Sequence, residues 1–259
     1  MGKKKDIIVK LLGSLIESGS KTLEFDNKMV KAVTGGTFAN QFDATKFDNT
    51  DKLPQALKNR DYFVIHLGSG KHRFVKGIKL GYHSFEKIPL RNTIDWKYRK
   101  SILNETDTSE ASILSLIHNQ RIAYDFLYED IVASPKVYNA RRTKTSFKYK
   151  LGNLTIKTEK LQIEMDMVFE NEGIVTIAEA KNGFPSDFAL YQLYNPFRYY
   201  WNLDKKEKLG IKEVHGLYVL KSIEHWSIVV RLYLYGFKVL QNPSSIHLLK
   251  VREYRLIKR

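Results

Sequence analysis

Two carboxylates and a lysine stand close enough in this chain to do hydrolytic chemistry. Asp166, Glu179 and Lys181 lie in LQIEMDMVFENEGIVTIAEAKNG, residues 161–183. Alternating hydrophobicity predicts strands over 161–169 and 174–181, joined by a turn at Asn171-Glu172-Gly173. Side chains two apart on a strand share a face, so Glu179 and Lys181 do. A two-residue turn at Glu172-Gly173 puts Asp166 opposite Glu179 and Glu164 opposite Lys181. A three-residue turn without a bulge flips Asp166 to the other face. Two carboxylates converging at strand ends make the hard, oxygen-rich kind of site that Mg²⁺ prefers while keeping several waters, and the Ala180 carbonyl is a further candidate ligand. Such a cation makes a bound water more acidic and neutralises charge on a phosphodiester. Lys181 can orient the attacking water, help deprotonate it, or stabilise a pentacovalent oxyanion. The same residues also admit a plainer reading: a Glu-x-Lys ion pair across one strand face, with Asp166 on a solvated edge.

The surrounding elements favour the chemical reading. An apolar run leads to Ala178, Gly183 and Pro185 follow Lys181, and an aromatic helix is predicted over 185–201. This arrangement resembles the PD-(D/E)xK nuclease core, with Asp166, Glu179 and Lys181 as its Asp, Glu and Lys. The resemblance covers about residues 107–221 in the order helix, three strands, helix, strand. It is most specific in IEMDMVFENEGIVTIAEAKNG followed by PSDFALYQLYNPFRYY, which is similar to type II restriction endonucleases with an amino-terminal accessory module. Met165 departs from the pattern, since the family has Pro before the Asp. The resemblance implies an α/β fold, a restriction endonuclease-like core with a mixed central sheet flanked by helices. It implies Mg²⁺-dependent, site-specific hydrolysis of double-stranded DNA, leaving 5′-phosphate and 3′-hydroxyl ends. It also implies that Glu110 assists the metal site through water, and that Gln192 holds the metal water or a phosphate. The structural alternatives are a capping box, Asp107-x-x-Glu110, and a polar position on an amphipathic helix. Glu164 is a further candidate beside Asp166. Duplex specificity usually uses two-fold symmetry, so a homodimer is expected.

Charge explains how such a site would meet its substrate. The 259 residues carry 43 Lys+Arg against 28 Asp+Glu, a formal net charge of +15. Residues 1–100 hold a net +10 of it. Residues 136–160 add eight basic residues against the single acid Glu159. Such an excess can be a solubilising surface, but its concentration in two segments points to a polyanion partner. Arg141, Arg142 and Lys144 are candidate phosphate contacts in that segment. The amino-terminal part, 1–95, reads as a small winged-helix-like α+β module for DNA recognition, with helices over 6–17, 26–33 and 54–59 and a hairpin pairing 62–67 with 71–78. Within it, Asn40, Gln41 and Lys46 sit in a polar cluster able to read adenine edges or phosphates, and Lys71 and Arg73 can track the backbone. The nuclease domain is expected over 96–259, opening with a long helix over 109–128 capped by Asp107. Arg198 on the aromatic helix is another possible phosphate contact.

Several classes are disfavoured. The absence of Cys removes disulfide scaffolds, thiolate zinc and thiol nucleophiles. The seven His residues show no metal-binding spacing. Gly68-Ser69-Gly70-Lys71 is not a phosphate loop, since Ile65 stands where the motif needs Gly. No apolar run approaches a membrane span and no signal peptide is evident, so a cytoplasmic protein without a membrane partner is expected. The rival readings are a repair, recombination or mobile-element nuclease, a non-catalytic DNA-binding protein, and an RNA-processing enzyme.

Overall fold

A computed structural model describes residues 3–35, 43–102 and 109–257, with only the backbone at 140. Apolar residues at helical spacing make α1 (Lys3–Glu17) amphipathic, and Ile8, Leu11, Leu12 and Leu15 are buried. They pack on β1 (Glu24–Asp26), α2 (Asn27–Thr34), α3 (Gln55–Asn59), β2 (Tyr62–Gly68) and β3 (Lys71–Lys76). The three strands form an antiparallel sheet in the order β1-β3-β2.

The chain continues through β4 (Tyr82–Ser84), β5 (Thr93–Lys97), α4 (Glu110–Asn119), α5 (Ile122–Tyr128), β6 (Lys136–Thr145), β7 (Lys148–Leu151) and β8 (Leu154–Lys157). It then forms β9 (Leu161–Asn171), β10 (Ile174–Asn182), β11 (Asp187–Ala189), α6 (Tyr191–Glu207), β12 (Glu213–Glu224), β13 (Ser227–Phe237) and β14 (Ile246–Ile257). A seven-stranded sheet runs β5-β14-β13-β12-β10-β9-β6. The β10–β12 and β14–β5 pairs are parallel and the others antiparallel, so the fold is α/β around a large mixed sheet. β5 spans the expected boundary at 95/96 and forms the sheet edge beside β14.

Helices cover both faces. On one, Ile113, Leu116 and Ile117 of α4 and Phe126 of α5 meet Ala178, Ala180, Leu217 and Val219. On the other, Tyr194, Phe197 and Tyr200 of α6 meet Val168, Val175 and Ile177. Fully burying each large side chain is worth about 1.5–3 kcal/mol. This alternation along β10 fixes which side chains face α6, and Glu179 and Lys181 fall on that side. Among the described residues no helix is long and apolar enough to cross a membrane.

Two local expectations are corrected. The helix expected over 109–128 is two helices, because Arg121 takes a left-handed conformation (φ 61°). The break is held where the Trp96 indole donates to the Gln120 carbonyl at 2.9 Å and the Gln120 side chain pairs with the Arg99 backbone. Ser109, not Asp107, caps α4, accepting from the Ser112 N–H at 3.2 Å. Asp107 lies outside the described residues. β7 and β8 pair as an antiparallel hairpin, with Lys148 opposite Lys157.

Candidate active site and nucleic-acid groove

The turn between β9 and β10 has two residues, since Asn171 pairs with Ile174. Glu172 and Gly173 both have positive φ, 52° and 87°, as a type I′ hairpin turn requires. The register therefore runs in phase through Met167 and Ala178. Beyond that pair the strands part. β9 follows β6, with Met165 opposite Arg141, while β10 follows β12, with Glu179 opposite Tyr218. Asp166 stands at this fork, where its carboxylate accepts the Ala180 N–H.

Three elements converge on the fork. Lys181 Nζ lies 2.9 Å from Glu179 Oε1 and 2.8 Å from Glu110 Oε2 at the start of α4. Gln192 in the first turn of α6 donates to Glu179 Oε1 at 2.7 Å and accepts the Tyr218 hydroxyl at 3.2 Å. Asp166, Glu179, Lys181, Glu110, Gln192 and Lys46 border a cavity of about 140 Å³. Glu164 does not face Lys181, as the extended register had suggested. It turns to β6, meeting Arg142 Nε at 2.8 Å, with Lys46 Nζ at 3.9 Å.

Burial raises the pKa of Glu179 from 4.5 to about 7; Lys181 opposes the rise and the Asp166 charge adds to it. Burial raises Asp166 as well, although Lys181 and the Ala180 N–H oppose it. Burial alone would lower Lys181, but Glu179 and Glu110 outweigh it and the ammonium is held above its ordinary value. Lys181 therefore stays charged at neutral pH. Its possible roles narrow to orienting groups and stabilising negative charge.

The described residues include no group of three His, Asp or Glu side chains able to hold a metal ion. The available donors are two neighbouring carboxylates, both buried enough to resist ionisation. A divalent cation would offset that cost, and Mg²⁺ commonly binds through one or two carboxylates plus waters. The donor set fits Mg²⁺ on that ground.

A groove of about 600 Å³ adjoins the cavity, sharing Lys46 and Glu164 with it. Lys71 of β3, Arg142 and Lys144 of β6, and Lys160 line it. Arg73 instead pairs with Glu24 at 3.9 Å. Arg141 lies over the Tyr199 ring, 5.8 Å from its centroid. Arg198 is buried and donates to the Leu240 carbonyl at 2.6 Å, so it is an interior residue and not a phosphate contact. Asn40 and Gln41 lie outside the described residues.

Sequence reasoning missed Asp48. Its Oδ1 accepts the Tyr191 hydroxyl at 3.1 Å. Burial would raise the Asp48 pKa, but Lys181, Lys46 and Lys52 outweigh it and lower it. Asp48 looked like one more polar residue of a loop, and no short-range signal marks a partner so distant in sequence.

No curated protein and no solved structure matches the chain. Residues 16–74 match the family described as Domain of unknown function (DUF6996). Residues 77–255, more than half of the chain and all of the site-bearing strands, match a second family, and the protein thus belongs to Domain of unknown function (DUF6997).

Proposed function

We propose that this protein is a Mg²⁺-dependent nuclease of the PD-(D/E)xK type, acting as a type II restriction endonuclease on double-stranded DNA. The observation that carries the reading is the fork between β9 and β10. There Asp166, Glu179 and Lys181 meet at one end of a basic groove.

In this reading Asp166 and Glu179 hold the cation, with the Ala180 carbonyl as a further ligand. Mg²⁺ bound there supplies an acidified water and neutralises phosphate charge. Lys181, fixed by Glu179 and Glu110, directs its ammonium at the phosphate oxygens, where charge builds during attack. Gln192 keeps the Glu179 carboxylate oriented. Water adds to phosphorus and the 3′ oxygen leaves with a proton, giving 5′-phosphate and 3′-hydroxyl ends. Lys71, Lys144 and Lys160 neutralise backbone phosphates along the groove, while Arg142 stays paired with Glu164.

The order α1-β1-α2-α3-β2-β3, with its three-stranded sheet, supports a winged-helix-like recognition role for the amino-terminal module. A homodimer is the proposed assembly on DNA.

The test is incubation of plasmid and linear duplex DNA with the purified protein, with Mg²⁺ or with EDTA. Discrete Mg²⁺-dependent fragments that DNA ligase can rejoin support a restriction enzyme. A smear or structure-dependent cutting moves the reading to a repair, recombination or mobile-element nuclease. Mg²⁺-independent binding without cleavage overturns the enzymatic reading.

A further inference from the structure

We propose that residues 44–50 form part of the cutting centre, with Lys46 seating the scissile phosphate against Asp166 and Glu179. This rests on the nuclease reading above and deepens it. The site becomes composite, with one wall supplied by the amino-terminal module.

The segment is anchored on both sides. Toward the module, Ala44 and Phe47 are buried in its core. The Lys4 ammonium donates to the Lys46 carbonyl and lies 4.6 Å from the centroid of the Phe47 ring. Toward the large sheet, the Asp48 carbonyl accepts the Ala189 N–H at 2.7 Å, and the Asp48 carboxylate accepts the Tyr191 hydroxyl. The Thr50 N–H donates to Asp187 Oδ1 at 2.8 Å, and the Thr50 hydroxyl donates to Asp187 Oδ2. Asp187 itself is buried. The backbone that carries Lys46 is thus fixed to the amino-terminal module on one side and to β11 and Tyr191 of α6 on the other.

Lys46 occupies the junction through which a substrate strand would pass. It lines both the cavity of the carboxylates and the basic groove. Its charge acts on both Asp166 and Glu179. Its nearest acidic partner, Glu164, is 3.9 Å away and already has Arg142 at 2.8 Å. Glu164 therefore keeps a partner when Lys46 turns to a phosphate. A lysine suits this task because its ammonium is a compact point charge on a flexible stem. The alternative is that Lys46 only helps dock the module or hold DNA in general.

The two are separated by steady-state cleavage of duplex DNA with Mg²⁺, using full-length wild type, Lys46→Ala, Lys46→Arg and Lys71→Ala. DNA affinity is read independently by fluorescence anisotropy of a labelled duplex, with each Lys substitution placed in an Asp166→Ala background. Lys46→Ala should lower kcat at least about tenfold and flatten the salt dependence of binding by about one unit of slope. Lys46→Arg should restore part of kcat. Lys71→Ala, at a residue that lines the groove but not the cavity, should raise KM much more than it lowers kcat. A Lys46→Ala protein that keeps wild-type kcat, or changes KM alone, overturns this inference while leaving the nuclease reading intact. A wild type that cuts no DNA overturns both.

Discussion

Gln192 donates its amide to Glu179 across 2.7 Å, so the helix after β10 fixes the carboxylate that β10 presents. The same amide accepts from Tyr218 on β12, tying three neighbouring elements together. Gln192→Leu leaves the buried Tyr218 hydroxyl without its acceptor and leaves Glu179 Oε1 with Lys181 in place of two donors. The expected cost is about 1–3 kcal/mol in urea unfolding, with cleavage reduced as well. Unchanged stability would mean that the bridge is not maintained in solution.

Glu179 gives the protein a defined pH response. Its carboxyl titrates at about 7 in the fold against an ordinary 4.5. Between those values the unfolded chain has released a proton that the folded chain retains. The contribution of Glu179 to stability is therefore full below 4.5 and is lost as pH rises through 7. Glu179→Gln should flatten this part of the pH–stability curve, measured by urea midpoints at each pH. Cleavage by wild type should rise with pH and level off at or below about pH 7, because the carboxylate must ionise to hold the cation and the cation favours the ionised form.

Cation binding should also be visible without any substrate. A ligand that binds only the folded state raises its stability by mass action. At pH 8, millimolar Mg²⁺ should raise the wild-type Tm by a few degrees, and Asp166→Ala should abolish the increment. An equal increment in both proteins would place the ion elsewhere.

The hairpin turn sets the phase of the whole site. Gly173 has φ 87°, and an added Cβ would stand 3.2 Å from the Gly210 carbonyl oxygen. Gly173→Ala should cost about 1–2 kcal/mol, from the left-handed backbone alone. A single residue inserted between Glu172 and Gly173 should be worse for function than for folding. It would turn Asp166 away from the fork, and cleavage measured beside circular dichroism should show that separation.

Lys144 is exposed on β6 and lines the groove. Lys144→Ala should leave stability within about 0.5 kcal/mol of wild type. It should weaken DNA binding almost uniformly across sequences, and the slope of log affinity against log salt should fall by about one. A sequence-selective effect would instead make Lys144 a base reader.

What was legible in the sequence was local. Alternation along 161–181 and the Glu172-Gly173 pair mark two strands and a turn whose phase puts Asp166, Glu179 and Lys181 at one fork. Basic clustering marks Arg142 and Lys144. The break at Arg121 carried no Gly or Pro, and it depends on Trp96 and Arg99, which are distant in sequence. The partner of Glu164 was misplaced because the strands part after Met167, where pairing with β6 and β12 takes over. Asp48 meets Tyr191 next to the pairing of β4 with β11, a contact between segments 143 residues apart. No periodicity encodes such a contact.

The most direct measurement is Mg²⁺-dependent cleavage of supercoiled plasmid by wild type, Asp166→Ala and Lys181→Ala, each shown to be folded by circular dichroism. Wild type should convert the plasmid to linear fragments, while both variants should leave it intact or lose at least about a hundredfold in rate. Equal cleavage by all three proteins, or none by wild type, would contradict the assignment of the fork between β9 and β10 as the cutting site.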